Sequence, residues 1–367
     1  MTKPVYEKQH VSRLVLKGYK SIAESDLHLR QLNVLIGANG AGKSNYIGFF
    51  RFIGQLLDQR LQLAVGKAGG ADSVLHFGRK QTEELTAALY FGEVPYSFEL
   101  IPTADNRLMF QREGVAHIDG QNVFSSGYLE SQVHLYNSSG GSNRLDGVLE
   151  SIRKWRIYHF HDTSTDARVK QIHNLNDNEY LREDARNLAA FLLRLRNHHP
   201  VHYRRIVKTI GLVAPFFGDF HLRPTVDNSE KIQLEWTEAG HDEPFSASAL
   251  SDGTLRFICL ATVLLQPEQF MPTALLIDEP ELGLHPFAIG VLAGLMKSVS
   301  HSHQLIISTQ SVELVNEFEL EDLVVVDKRE GASRLQRLKA EELAEWLTDY
   351  SPGELWMKNL LGGRPTL

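Results

Sequence analysis

Gly37-Ala38-Asn39-Gly40-Ala41-Gly42-Lys43-Ser44 has the G-x-x-x-x-G-K-[ST] spacing of a phosphate-binding loop. Its glycines let successive backbone N–H groups curl toward phosphate oxygens. Lys43 is spaced to reach the β- and γ-phosphates, and the Ser44 hydroxyl, just ahead of Asn45, to ligate Mg2+. A second pattern, Ala274-Leu275-Leu276-Ile277-Asp278-Glu279-Pro280, ends an apolar strand in two carboxylates. Asp278 reads as a Mg2+ holder acting through water, and Glu279 as the group that orients or deprotonates an attacking water. Apolar strands often end in acidic turns, so this pattern gains its meaning from the phosphate loop. A third, Leu250-Ser251-Asp252-Gly253-Thr254, opens an apolar helix. Ser251 reads as the N-cap of that helix, and the same helix start with Gly253 is an anion site able to grip a γ-phosphate.

The elements that must position these residues are visible as hydrophobic patterns. Leu32 to Ile36 is a buried strand running straight into the glycine-rich loop, and Leu14 to Leu16 is a shorter one before it. Ile47, Phe50, Ile53, Leu56 and Leu57 recur at helical spacing within Ser44 to Leu63. Short alternating stretches between about 84 and 118, punctuated by Pro95, Pro102 and Gly114, predict an antiparallel meander. Residues 137–144 read as a loop, Trp155 to Phe160 as a strand, and 181–213 as helices. Ile232, Leu234 and Trp236 alternate as in a strand. Further on come a helix from Thr254 to Leu265, a strand Ala274 to Ile277, a helix from Pro286, strands at Gln304–Ser308 and Leu323–Val326, and a short helix at Glu341–Leu347.

Composition narrows the class. Hydrophobic residues make up 43% and charged residues 23%, enough apolar content to exclude disorder as the main state. The single Cys259 excludes a disulfide framework and a Cys-rich zinc site. The 16 His residues show no metal-ligand spacing. Met1 to His10 lacks the apolar stretch of a secretion signal, and Phe257 to Leu265 is too short to span a membrane, so a soluble cytoplasmic protein is expected.

Asn39 within the loop, Leu250-Ser251-x-Gly253, Glu279-Pro280-Glu281 and Leu284-His285-Pro286 together resemble an ABC-type ATPase of the RecF/SMC-like branch. Gly18 to Ile22, Asn187 to Leu192 and Gly353 to Trp356 extend the resemblance over nearly the whole chain. It is similar in particular to stand-alone bacterial ATPases of the AAA_21 type, related to the ATPase part of OLD-family proteins. The resemblance implies an α/β P-loop NTPase fold: an ABC-ATPase head with an antiparallel β subdomain and an inserted helical lobe. The core is expected over 1–145 and 215–367, with the lobe at 146–214. ATP and Mg2+ are the implied cofactors. Gly37, Asn39, Gly40, Gly42, Lys43, Ser44 and Asn45 would bind nucleotide from one chain, Ser251 and Gly253 from another, so a homodimer is implied. Ser44 and Asp278 would hold the metal, and Glu279 and Gln310 would serve catalysis. Gln310 stands where the family places a His; its amide can donate to phosphate or orient water but cannot titrate. No Gln stands at the family's Q-loop, where His161 is the candidate. The acidic clusters past Ser311 lack the Asp-x-Asp pairing of a Toprim nuclease, so an effector is expected on a separate subunit. A role in bacterial DNA transactions or anti-phage defence is the implied setting.

Charge is unevenly spread. The chain carries 38 Lys+Arg and 45 Asp+Glu, a net −7, yet residues 151–208 hold 12 Lys/Arg against 6 Asp/Glu. Arg153, Lys154, Arg156, Arg194, Arg196, Arg204, Arg205 and Lys208 dominate that stretch, which reads either as a nucleic-acid groove or as a solvated helical face. Two other functions stay open: a nucleotide-switched binding scaffold with negligible turnover, and a small-molecule P-loop kinase, which would not need Ser251-Asp252-Gly253.

Overall fold

The computed structural model describes residues 10–92, 94–115, 126–134, 143–343 and 345–363. Strands β1 (Arg13–Tyr19), β2 (Ile22–His28) and β3 (Leu32–Ile36) lead into helix α1 (Lys43–Leu57), and β4 (Leu85–Phe91), β5 (Val94–Pro102) and β6 (Leu108–Val115) follow. Then come β7 (Arg156–Tyr158) and β8 (His173–Asn174), the helices Leu188–His198 and Pro200–Val213, and the short strands β9 (Phe217–Phe220), β10 (Pro224–Thr225), β11 (Asn228–Ile232), β12 (Glu235–Glu238) and β13 (Pro244–Ser246). The helix Asp252–Leu265, β14 (Ala274–Asp278), the helix Pro286–Ser300, β15 (Gln304–Thr309), β16 (Leu323–Arg329) and β17 (Ala332–Arg337) carry the chain onward.

The chain divides into two compact units, Met1–Trp155 with Thr273–Leu276 and Gln304–Leu367, and Arg156–Pro272 with Ile277–His303. In the first, β3 lies between β15 and β16 and parallel to both, with Ile36 opposite Thr309 and Val34 opposite Leu323. All five β3 residues are buried, as a strand covered on both faces requires. β14 enters this sheet beside β15 and leaves the unit after Leu276. A second, antiparallel sheet runs β2-β1-β4-β5-β6. The rings of Tyr19 and Phe98 lie 5.0 and 6.4 Å from that of Phe49, so α1 is packed against the antiparallel sheet by aromatic contacts.

The meander expected near 84–118 is β4 to β6, and β1 extends it. The single helix expected over Ser44 to Leu63 is broken: α1 ends at Leu57, Gln59 turns left-handed, and a new helix runs Leu61–Ala68. The loop expected at 137–144 falls largely outside the described residues.

In the second unit two small sheets, β10-β11-β8 and β13-β12-β9, accompany the helices. Asn174 of β8 pairs with Lys231 of β11, and helix Pro200–Val213 packs on helix Asp252–Leu265. These pairings bind residues before 214 to residues well after it, while helix Asn143–Arg153 stays with the first unit. Among the described residues no helix is long and apolar enough to cross a membrane. Burial pushes the Cys259 thiol up to about 12, which leaves it a packing residue.

Candidate nucleotide site

In the first unit the glycine loop leaves the carboxyl end of β3 and enters α1, whose Gly42 N-cap offers no side chain to the first N–H groups. An uncapped helix start at a buried strand's end is an anion cradle. Lys43 is 5% exposed, and its Nζ donates to the carbonyls of Gly37 (2.7 Å) and Ala38 (3.1 Å), so the ammonium curls over the loop it would share with phosphate. Asn39 and Gly40 at the loop tip and Ser44 at the helix start are exposed.

Hydroxyl groups brace the loop from below. Ser333 Oγ of β17 donates to the Ala41 carbonyl at 2.5 Å and accepts from Ser21 Oγ at 2.7 Å, and Asn45 Nδ2 donates to Ser21 Oγ at 2.7 Å. Gly42 has φ +115°, and a Cβ there would lie 2.1 Å from Ser333 Oγ, so only glycine fits. Ser21 lies in the Gly18–Ile22 segment of the resemblance and Ser333 in none of its motifs, and neither was expected to brace the loop. Gln310 is the first residue after β15, and the parallel register that sets Thr309 opposite Ile36 brings it beside Gly37.

The second unit assembles its own cluster. Asp278, 5% exposed, ends β14, and Glu279 follows with φ +47°. A left-handed glutamate costs on the order of 1–3 kcal/mol, and such strain gathers at functional sites. His161 Nε2–H donates to the Asp278 carbonyl at 3.0 Å, and His159 Nε2 lies 3.7 Å from Asp278 Oδ2. The two rings meet edge to face, centroids 4.9 Å apart. His161 was the expected approach to the nucleotide from this segment; His159 was read only as a strand residue.

Arg256 joins three segments of this cluster. Its guanidinium, on helix Asp252–Leu265, donates to the carbonyls of Phe160 (2.8 Å), His161 (3.3 Å) and Leu282. Desolvation holds its pKa below the usual arginine value. Ser251 is the N-cap of that helix, its Oγ accepting from Thr254 N at 3.2 Å. Gly253 sits so close to the Gly283 carbonyl that a Cβ would lie 2.3 Å from it. The segment after Glu279 and the start of the Ser251 helix are thus in backbone contact.

The donor sets suit nucleotide and a hard divalent ion. The first unit offers backbone N–H groups, an ammonium and a hydroxyl; the second offers carboxylates. Among the described residues no group of three or more His, Cys, Asp or Glu is placed to hold a metal alone.

Half of the expected basic patch makes contacts within the chain. Lys154 pairs with Glu150 at 2.7 Å, Arg156 lies over the Tyr180 ring, Arg194 over that of Phe270, and Arg196 donates to the Leu222 carbonyl. Arg153 is exposed in the first unit. Arg204, Arg205 and Lys208 are exposed on one helix, Pro200–Val213, of the second.

No curated protein matches the chain. Among solved structures it is similar to an SMC head bound to the C-winged helix domain of ScpA, with a TM-score of 0.60 and 17% identity over 92% of this chain and 99% of that one. It is also similar to a Pyrococcus furiosus Smc head with an extended coiled coil bound to the C-terminal domain of ScpA (TM-score 0.56, 16% identity, 93% and 99% covered). A Smc head with a coiled coil and joint from Pyrococcus yayanosii gives a TM-score of 0.53 at 14% identity, again with 93% and 99% covered. At these identities the likeness is one of fold, and the fold is an α/β P-loop NTPase of the ABC-ATPase head type. A family model described as "AAA domain, putative AbiEii toxin, Type IV TA system" matches residues 132–316, a span that includes Ser251, Asp278, Glu279 and Gln310 and excludes the phosphate loop. The chain belongs to this AAA_21 family of ABC/SMC-like AAA ATPases.

Proposed function

We propose that the chain binds ATP with Mg2+ and hydrolyses it at the β–γ bond, as one half of a homodimer closed around two nucleotides. The observation that carries the reading is the phosphate loop, with Lys43 buried above its carbonyls at an uncapped helix start. Lys43 and the loop N–H groups bind the phosphates. Ser44 and Asp278 would hold the divalent ion, which when bound neutralises charge on the β- and γ-oxygens. Glu279 takes the proton of the attacking water, and the Gln310 amide donates to the γ-phosphate or orients that water.

Each chain has one phosphate loop and one Ser251-x-Gly253 start, so two copies complete two sites reciprocally. Leu282 and Phe287, 45% and 57% exposed beside that start, offer apolar surface for the partner. ATP then works as a clamp that hydrolysis opens. Ser251→Arg tests the pairing. The expected protein still binds ATP but no longer gains mass with ATP in light scattering, and its phosphate release falls at least tenfold. Unchanged turnover in that variant would sink the dimer and restore the kinase reading. Gln310, unable to titrate, favours one alternative: a nucleotide-switched scaffold with negligible turnover.

The biological setting we read as a bacterial DNA transaction or anti-phage defence with a separate effector or partner subunit. SMC heads crystallised with ScpA, and a family description naming a toxin–antitoxin system, motivate that reading. Nucleic acid would contact Arg204, Arg205 and Lys208. With about three phosphate contacts, affinity falls roughly 40-fold between 50 and 200 mM salt. A filter-binding series should show that slope and lose most of it in Arg204→Glu/Arg205→Glu with ATP binding unchanged. Equal affinity in both proteins would remove nucleic acid from the reading.

A further inference from the structure

Within the second unit the basic helix runs straight into a cluster of aromatic rings. On helix Pro200–Val213 the exposed residues Arg204, Arg205, Lys208 and Leu212 recur three and four residues apart, so they share one face. Tyr203 donates its hydroxyl to Asp219 Oδ1 at 2.6 Å and ties the helix to β9. Four residues beyond Leu212 stands Phe216, 45% exposed. Its ring meets the buried Trp236 indole edge to face, centroids 5.6 Å apart, and Phe245, 37% exposed, lies 5.4 Å from the same indole. Phe217 stacks on that indole at 5.9 Å, and Trp236 Nε1 donates to the Ser246 carbonyl at 3.2 Å. Two exposed rings are thus held on one buried, anchored support.

Cations alone serve duplex and single strand alike, because both present phosphates. Fixed aromatic faces serve only unpaired bases, since a paired base keeps its own faces stacked inside the duplex. The rings also have an acidic neighbour. The Ala239 N–H donates to the Phe216 carbonyl at 2.9 Å, which sets the turn carrying Glu238, Asp242 and Glu243 beside Phe216. A duplex brings two phosphate backbones, and with one on the helix the other would meet these carboxylates. A single strand has only one backbone to place. Resting on the nucleic-acid reading above, we propose that this face takes single-stranded nucleic acid, with phosphates on Arg204, Arg205 and Lys208 and bases stacked on Phe216 and Phe245.

The test uses the full chain and three labelled probes of equal length: oligo(dT), its duplex with oligo(dA), and an abasic strand carrying the same phosphates without bases. Fluorescence anisotropy should show oligo(dT) bound about tenfold more tightly than either of the other two. In Phe216→Ala/Phe245→Ala the preference for oligo(dT) over the abasic strand disappears, while affinity for the abasic strand and for ATP is unchanged. Phe216→Tyr/Phe245→Tyr keeps the preference, because a phenol stacks as a phenyl does. An alanine variant that merely unfolds would lose the abasic strand and ATP as well, and the wild-type comparison of the three probes then decides alone. Duplex or abasic strand bound by the wild type as tightly as oligo(dT) overturns the proposal, as does a folded alanine variant that keeps the preference. If the wild type binds none of the probes, the nucleic-acid reading falls and this one with it. If it binds all three alike, only the single-strand assignment and the role of the rings are lost.

Discussion

A Glu279→Gln protein is expected to bind ATP as the wild type does and to release phosphate roughly a thousandfold more slowly, a barrier increase of about 4 kcal/mol. The substitution keeps the shape of the side chain and removes only its capacity to take a proton. Glutamine meets the same steric conditions as glutamate at φ +47°, so the strained turn after Asp278 is retained. The nucleotide clamp should consequently accumulate closed, seen as an ATP-dependent doubling of mass that persists for as long as ATP is intact. Single-turnover phosphate release is the deciding measurement. A variant within threefold of the wild-type rate would show that Glu279 is not the base. If both proteins release no phosphate while ATP still drives dimerisation, the molecule is a switch without turnover.

Lys43→Ala should act one step earlier, lowering ATP affinity by more than about a hundredfold through loss of charge-assisted contacts to two phosphates. The ammonium already donates to Gly37 and Ala38 carbonyls, so it is held at the loop before any nucleotide arrives. Little ordering cost remains at binding, which is why its removal should appear in affinity and not merely in rate. Titration with a fluorescent ATP analogue checks this, and affinity within threefold of wild type would overturn the assignment. The two variants separate cleanly: Lys43→Ala gives no clamp, Glu279→Gln one that does not reopen.

Much of this site was legible because its parts are local. A buried five-residue strand followed by the glycine loop and a helical stripe announces itself within residues 32–57, and the Asp278–Glu279 strand end does the same. Parts that arrive from a distance were not. Ser21 and Ser333 brace the loop from positions 312 residues apart, and single serines in a sequence give no sign of such a meeting. β2 and β17 were missed because their exposed positions carry Glu24, Asp26, Arg334 and Gln336, which dilute the apolar alternation of strands covered on one face. The basic stretch was legible only as charge. Charge counted along the chain could not reveal that Arg156 and Arg194 lie over aromatic rings, where the guanidinium is part of the packing. Strands two residues long, such as β8, leave almost no pattern for a related reason.

The position of β3 also bears on how the protein is made. Both its sheet neighbours, β15 and β16, lie in residues 304–329, and the Gln304 amide reaches back 293 residues to the Val11 carbonyl. At ~5–20 residues per second, roughly 15–60 s separates synthesis of β3 from that of its partners and of Ser333. The antiparallel sheet of β1, β2 and β4 to β6 can pair during that interval, but the phosphate loop has nothing to rest on. Nucleotide cannot template early folding, and the apolar β3 run remains a target for chaperones until residues 304–337 emerge.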